Sequence, residues 1–462
     1  MKNKLLFTFI VLWIGLPLTA EQPKADFAEL EKVALEELKE INAPGAAIAV
    51  VLGDKVVFAK GFGVANIETG TPMTPDMLCR IGSTTKMLTA SVLVSLAEEG
   101  KVRLDEPVGK YVQGLHPSIA ALTAHQLLCH TAGLKDDAQM HGRHDDSALG
   151  EFVRSWKEDF FFTQPGKIYS YSNPGYHLAG FLIEVAGGKP YADMMSERLF
   201  KPLGMNSTTL RPTVAMTYPL SQGHEARGKE KPTVIRPFAD NVANWPAGSV
   251  FTSANEFARF AVAFLNNGRI DGKQVLPPAV IGKLSTPHAD LPGQPDTKYG
   301  YGLTIREHRG VRVLQHGGAR SGFGSSVRMA PEHRLAVIVL VNRTGGGLPR
   351  TVEKATELLL PLEPEPVPKP KQTLPLTEAE MGGYAGVYKN GSTTAEIAIK
   401  EGKLVLKMRG AEFPLSKLSA DRLGFTPPGA PRPEELVVVM GADGKPEYLH
   451  RGGRSLKKAS GP

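Results

Sequence analysis

The 462-residue sequence predicts an α+β fold: an antiparallel sheet flanked by helices, a helix-rich subdomain, and then a small C-terminal all-β, barrel-like domain. Three observations predict it. Strand-length apolar runs bracket the first 362 residues, at Ala46–Val51 and Lys55–Ala59 early and at Val311–Leu314, Ser326–Met329 and Leu335–Val341 late. Helical patterns fill the middle. Beyond the proline-rich stretch Pro361-Leu362-Glu363-Pro364-Glu365-Pro366-Val367-Pro368-Lys369-Pro370, the periodicity becomes entirely that of strands.

In chain order, residues 1–20 read as a secretory signal peptide. Lys2 and Lys4 precede an apolar run from Leu5 to Leu18, and Thr19-Ala20 offers small residues at the cut. The run is shorter than a spanning helix and Pro17 lies near its end, so an uncleaved anchor is the poorer reading. Export to a periplasm or to the medium is the consequence, with no membrane span in the mature chain. Residues 28–362 form the main domain. In it Ser83–Ala97 reads as a helix buried on most sides and stopped by Gly100. Lys167–Ser170 reads as a strand leading through a loop, broken by Pro174 and Gly175, to a helix over Tyr176–Ala186. Leu335–Val341 closes a hairpin with Ser326–Met329 around Pro331-Glu332-His333-Arg334. Residues 363–375 are a stiff linker. Residues 376–462 carry strands at Gly386–Tyr388, Ala395–Ile399, Leu404–Met408 and Leu436–Met440, with turns at Asn390-Gly391, Glu401-Gly402 and Asp443-Gly444. The basic residues Arg451, Arg454, Lys457 and Lys458 read as a frayed tail, and this domain shows no catalytic constellation.

Composition is that of a globular enzyme, 42% hydrophobic and 22% charged, which excludes wholesale disorder. The formal charge of +7 becomes +5 once Lys2 and Lys4 are removed with the leader, and it is dispersed, which argues against nucleic acid as a partner. The two cysteines, Cys79 and Cys129, exclude a disulfide framework; whether they pair with one another is open.

Three strings carry the chemistry. Ser83-Thr84-Thr85-Lys86 places a lysine one turn after a serine at a helix N-terminus, where free N–H groups favour negative charge. A lysine buried there needs a partner or a depressed pKa, and the latter makes it a proton acceptor. The string is equally compatible with an N-cap serine and a snorkelling lysine. Tyr171-Ser172-Asn173 offers a phenol, whose pKa a neighbouring ammonium would lower, and a carboxamide able to donate and accept. Alone it is as good a turn. His316-Gly317-Gly318-Ala319 follows a short strand, and its glycines allow a ligand to approach the backbone. Alone it is a glycine-rich strand end. Each pattern recurs elsewhere, at Ser455–Lys458, Tyr388–Asn390, His308–Gly310 and His450–Gly452, so single strings decide nothing.

Taken together the strings resemble the serine β-lactamase and penicillin-binding family, more narrowly its class C and esterase-like branch, where Ser-x-x-Lys, Tyr-x-Asn and Lys/His-x-Gly occur in this order. Gly100–Pro107, Gln126–Leu134, Leu203–Met205, Pro246–Ser253 and Tyr299–Leu303 fit the same resemblance, which spans about residues 28–362. It implies a β-lactamase/transpeptidase-like fold and an appended β-barrel domain. It also implies a cofactor-free serine hydrolase acting on a β-lactam, a D-amino-acid peptide or a short-chain ester. Ser83 would be the nucleophile, and Lys86 with Tyr171 the coupled proton acceptor. The N–H groups of Ser83 and Ala319 would bind the oxyanion, and Asn173, His316 and Gly318 would place the substrate. His316 stands where class C enzymes carry lysine, which implies poor β-lactam turnover. Two other readings stand beside it. One is a receptor that acylates without turnover or binds peptidoglycan fragments. The other is a zinc hydrolase built on His125, His130, His141, His144, Asp145 and Asp146, although their spacing is unlike a zinc motif and a polar surface loop accounts for most of them.

Overall fold

The computed structural model describes residues 26–459 apart from 138, 227, 229, 366–371 and 428–432. The leader and the centre of the linker lie outside the described residues. The first nine-stranded sheet contains β1 (Gly45–Leu52), β2 (Lys55–Asn66), β3 (Thr71–Pro72), β4 (Ala289–Leu291), β5 (Gln294–Tyr299), β6 (Thr304–His308), β7 (Val311–Arg320), β8 (Phe323–Ala330) and β9 (Leu335–Val341). Its spatial order is β4-β5-β6-β7-β8-β9-β1-β2-β3, with every pairing antiparallel. Both chain ends of this unit meet at its centre, where β9 pairs with β1 from Ala46↔Val341 to Leu52↔Leu335.

The central strands are apolar at nearly every position because both faces are covered. On β1, Ala46, Ile48 and Val50 point into one core and Ala47, Ala49 and Val51 into another. This is the period-2 alternation of a strand, with neither face left to water. The first core is closed by α1 (Ala28–Glu40) and a late helix (Pro349–Leu359). Buried Glu37 of α1 caps that late helix: its carboxylate accepts the N–H groups of Arg350 and Thr351, both at 2.9 Å, and the Thr351 hydroxyl at 2.8 Å. A carboxylate is favoured there by the unpaired N–H groups of the helix start. The second, larger core lies between the sheet and the helical middle, which includes α2 (Thr85–Glu98) and α3 (Asn173–Gly187). The site forms on this side.

The C-terminal sheet is also nine-stranded and antiparallel. It comprises β10 (Gly386–Asn390), β11 (Thr393–Lys400), β12 (Lys403–Met408), β13 (Ala411–Pro414), β14 (Ser416–Ser419), β15 (Arg422–Phe425), β16 (Glu434–Met440), β17 (Pro446–Arg451) and β18 (Arg454–Lys458). Its order is β13-β12-β11-β10-β18-β17-β16-β15-β14. The chain leaves one edge at Pro414 and enters the other at Ser416, so the sheet curls until its edges meet through Leu415, nearly closing a barrel.

Four local expectations change. The segment before Tyr171 is not a strand: Lys167–Ser170 is irregular, and the Ser170 N–H donates to His130 O at 2.9 Å. Pro174 does not break the chain. It occupies the first turn of α3, where a missing N–H costs nothing, and Ser172 caps that turn through the Gly175 N–H. The strand ending in the histidine string runs on to Arg320, because its paired partner β8 continues to Phe323. The basic C-terminal segment is not frayed: Arg454–Lys458 is strand β18, with Ser455 fully buried.

Candidate active site

Ser83 sits in a single tight turn, Gly82–Thr84, that runs directly into α2. The turn is pressed against β7. Gly82 has φ +51°, and a Cβ there would lie 2.6 Å from the Ala319 nitrogen; a Cβ on Gly318 would lie 1.9 Å from Ile81 O. Both glycines are therefore required by backbone contact, and that contact brings the Ala319 nitrogen against the turn that carries Ser83.

Lys86 is fully buried. Its Nζ lies 3.4 Å from Ser83 Oγ, 2.7 Å from Asn173 Oδ1 and 2.7 Å from Ala247 O. Burial drives its pKa well below that of a free lysine; Asp136 opposes this, while Arg454 and Arg320 reinforce it.

Tyr171 packs with Lys86 Nζ 4.7 Å from its ring centroid and Arg454 Cζ 5.0 Å from it. The ring is held by its own backbone, since the Tyr171 N–H donates to Gly453 O at 2.8 Å. Burial raises the phenol pKa above its ordinary value, and the Ser83 hydroxyl only partly offsets this. The expected lowering is reversed for two reasons. Burial is the larger effect on the phenol, and the same burial disfavours the ammonium form of Lys86 that would have lowered it.

Asn173 begins α3 and is oriented by Asp136, whose Oδ1 accepts both its backbone N–H at 2.8 Å and its Nδ2 at 3.0 Å. That pairing leaves Asn173 Oδ1 free to face Lys86. Asp136 Oδ2 accepts from Arg454 Nε at 2.6 Å. A residue of the C-terminal sheet thus steadies both the carboxamide and the phenol.

His316 faces the buried side of β7 and is 9% exposed. Its Nδ1 lies 2.6 Å from Gly317 O and its Nε2 3.1 Å from the Tyr299 hydroxyl. Tyr299 in turn lies 3.1 Å from His130 Nε2, and His130 Nδ1 accepts the Ser172 N–H at 3.1 Å. The backbone groups at both ends set every proton in this chain. His130 Nδ1 is an acceptor, so Nε2–H donates to Tyr299 Oη. The Tyr299 O–H then donates to His316 Nε2, and His316 Nδ1–H donates to Gly317 O. Both histidines are neutral: burial first, then Lys86, lowers His316 to about 4, and burial carries His130 well below its usual range.

Ser83, Tyr171, Asn173, His316, Gly318 and Ala319 all line one cavity of about 540 Å³, with Lys86 buried beneath it at hydrogen-bonding reach of Ser83 and Asn173. Gly452 and Arg454 line it too, so the C-terminal sheet contributes part of the wall. Asp136 and Arg454 carry no local signal that marks them as parts of this site, and His130, Ala247 and Tyr299 fall in segments that fit the family resemblance without being singled out there for these contacts. Arg454 is far from the other site residues in the chain, and only the tertiary fold brings it in. The histidines of the metal reading are dispersed among different partners. His125 Nδ1 pairs with the Tyr301 hydroxyl at 2.8 Å, His130 joins the chain to His316, and His144 Nδ1 lies 3.2 Å from Asp240. Among the described residues no group of three or more histidine, cysteine, aspartate or glutamate side chains is arranged to hold a metal. Cys79 and Cys129 are separate buried thiols, and burial pushes Cys79 up to about 12.

Known proteins share this organisation. Penicillin-binding protein 4 of Amycolatopsis lactamdurans is 29% identical over 314 residues, 66% of this chain and 82% of that one. The unguisins hydrolase ungD' of Aspergillus campestris is 29% identical over 338 residues, 69% of this chain and 61% of that one. The crystal structure of SurE superposes with a TM-score of 0.77 at 26% identity, covering 94% of this chain and all of that one, the C-terminal sheet included. Residues 30–360 match the family model described as Beta-lactamase, and the chain belongs to the beta-lactamase family.

Proposed function

We propose that the chain is an exported serine hydrolase that cleaves an amide or ester through an acyl-enzyme on Ser83. One observation carries the reading. A neutral amine has two N–H bonds and one lone pair, and the two oxygens at 2.7 Å from Lys86 Nζ, of Asn173 and Ala247, take both N–H bonds. In the deprotonated form that burial favours, the third direction, toward Ser83 Oγ at 3.4 Å, is the lone pair, and Lys86 can take the serine proton there. That is the arrangement of a nucleophile and its base, and separations of this size tighten when substrate binds.

In the first step Lys86 takes the Ser83 proton as Oγ bonds to the substrate carbonyl. The N–H groups of Ser83 and Ala319 stabilise the oxyanion, a role supported by the close approach of the Ala319 nitrogen to the Ser83 turn. Tyr171, kept protonated by burial, hands its proton to the leaving group and recovers one from Lys86. Collapse expels the leaving group. Water then attacks the acyl-enzyme, giving its proton to the Lys86–Tyr171 pair, which passes it to Ser83 Oγ as the acyl bond breaks and the acid leaves. Asn173 holds the substrate beside Ser83, and neutral His316 offers no permanent charge to a carboxylate. Of β-lactam, D-amino-acid peptide and short-chain ester, the neutral imidazole favours the ester and peptide over the β-lactam. The relatives named as a penicillin-binding protein and a hydrolase support the class without choosing a substrate. Export rests on the charged start and the apolar run Leu5–Leu18.

A fluorophosphonate probe should label Ser83, detected by intact mass, and Ser83→Ala should abolish both label and turnover with the fold retained. Lys86→Ala should lower kcat by several orders of magnitude, as loss of one member of a catalytic unit does. Labelling without turnover of any ester or peptide would favour the receptor reading, and wild-type kinetics in Ser83→Ala would end the assignment.

A further inference from the structure

Strand β7 presents three residues on its buried face, His316, Gly318 and Arg320, spaced two apart. Gly318 rests on the turn that carries Ser83, so the strand passes over the nucleophile at its middle. His316 lies about 6–7 Å to one side along the strand and Arg320 the same distance to the other, from the rise per residue. The reading of Ser83 as nucleophile uses His316 and leaves Arg320 without a role. Yet Arg320 lines the same cavity and is only 7% exposed.

Its surroundings do not satisfy it. Nε and Nη2, the two atoms of one edge of the guanidinium, are buried with no hydrogen-bond partner among the described residues. The nearby carboxylate is Asp240, and it is already occupied. Asp240 Oδ1 accepts from Arg80 Nη2 at 3.0 Å and from Trp245 Nε1 at 3.1 Å, and Oδ2 lies 3.2 Å from His144 Nδ1. Two buried guanidiniums, Arg80 and Arg320, therefore share one buried carboxylate, and one positive charge is left over. Burial lowers Arg320 to about 10, with Asp240 opposing, so it remains a cation at neutral pH. An unpaired buried guanidinium is costly, several kcal/mol by general estimates, and it is retained where a ligand completes it.

A second side chain on the same wall is in the same condition. His177 stands one helical turn after Asn173 on α3, is fully buried, and has no partner for either ring nitrogen among the described residues. It lines the cavity, and its pKa is lowered by burial, by Lys86 and by Arg320, so it is neutral and keeps one N–H to donate. Asn244, Ala247 and Gly248, all buried, line the same cavity. With His316 taken to face the leaving group, Arg320 on the other side of Ser83 faces the part of the substrate that stays on the serine.

We propose that Arg320, with His177, forms a carboxylate-binding subsite for the acyl portion of the substrate, so that the preferred substrates carry an acid group a few atoms beyond the scissile carbonyl. The free Nε–Nη2 edge of Arg320 meets a carboxylate side-on with two parallel hydrogen bonds, and the His177 N–H reaches one of its oxygens. Specificity then arises from two opposite ends: a permanent cation for the acyl group at Arg320, and an uncharged imidazole at His316.

This inference rests on the Ser83 acyl-enzyme reading, and its test separates the two. The probes are p-nitrophenyl monoesters of succinic, glutaric and adipic acid, each compared with its own methyl ester, which has the same chain without the charge. The wild-type protein should prefer the acid over the methyl ester by tenfold or more in kcat/KM for at least one length, about the effect of one well-placed charge-assisted contact. In Arg320→Gln that ratio should fall to about one, and in Arg320→Lys to an intermediate value, because the charge survives and the fork does not. A ratio within one protein is insensitive to a general loss of activity. If fluorophosphonate fails to label Ser83, the catalytic reading fails, and the subsite is read instead by equilibrium binding of monomethyl glutarate. That binding should weaken at least tenfold in Arg320→Gln. A wild-type protein indifferent to the acid group at all three lengths, or an Arg320→Gln protein that keeps the preference or the binding, overturns the proposal.

Discussion

Replacing Tyr299 by phenylalanine removes one oxygen and nothing else, and the contacts of that oxygen set the cost. Tyr299 is buried, and its hydroxyl joins His130 Nε2 to His316 Nε2 at 3.1 Å on each side. Without it a donor on His130 and an acceptor on His316 are both left in a dry site. Each such orphan costs about 1–3 kcal/mol, and relief from burying the hydroxyl itself returns part of that, so a net loss of about 2–4 kcal/mol is expected. Urea denaturation monitored by circular dichroism reads it. The functional consequence lies in the imidazole. Gly317 O keeps the proton on His316 Nδ1 with or without the hydroxyl, but without it Nε2 loses its donor and the ring loses its second anchor. We expect kcat/KM to fall roughly tenfold, equivalent to about 1.4 kcal/mol of lost transition-state positioning. The ¹⁵N shift of His316 Nε2 should move toward that of an unbonded imidazole nitrogen while Nδ1 keeps its proton, a change that mere loss of packing would not produce. In a double-mutant cycle, Tyr299→Phe and His316→Asn should be strongly non-additive in kcat/KM. Stability and the His316 Nε2 shift both unchanged in Tyr299→Phe would show that the hydroxyl does not couple the two histidines.

Three further outcomes are expected. A chain ending near Leu362 lacks Arg454 and the Gly453 carbonyl, which hold Asp136 and the Tyr171 backbone; it should fold yet lose at least tenfold in kcat on a small ester, and Arg454→Ala should reproduce much of that loss, whereas full activity in the truncated chain would make the C-terminal sheet a bystander. The neutral buried histidines make the fold acid-sensitive: His316 at about 4 and His177 at about 3 lie below the free value, so their contribution is complete above about pH 6.5 and is lost as pH falls toward 4. At about 1.4 kcal/mol for each pH unit between folded and free values, the pair removes several kcal/mol by pH 4, and a flat stability profile from pH 7 to 4.5 would contradict their burial as neutral rings. His316→Lys should shift kcat/KM about tenfold toward substrates with a carboxylate on the leaving-group side, as expected for one partly screened charge contact; an unchanged ratio would show that this position does not set specificity.

Local pattern carries a residue only as far as its own segment reaches. The near-continuous apolar runs Ala46–Val51 and Leu335–Val341 identified the central strands because strands covered on both faces have no polar positions, and the prolines after Pro361 marked where the β-rich segment begins. The strings at Ser83, Tyr171 and His316 named candidates because their residue types suit acyl transfer, and the fold lines those candidates on one cavity. A chain of letters does not contain the environment of its side chains. The local string predicts that an ammonium acidifies Tyr171, yet burial, a property of the whole fold, raises the phenol and lowers the lysine together. Asp136 and Tyr299 look ordinary in the chain and gain meaning only from the side chains they touch. Arg454, 318 positions from Asp136, reads as part of a basic tail until the second sheet folds it against the site. Fold class and the candidate groups were thus legible in the linear chain, because both are written in local periodicity and chemistry. Protonation, orientation and the cation left unpaired at Arg320 came from folding, because they depend on dielectric and on neighbours far away in the chain.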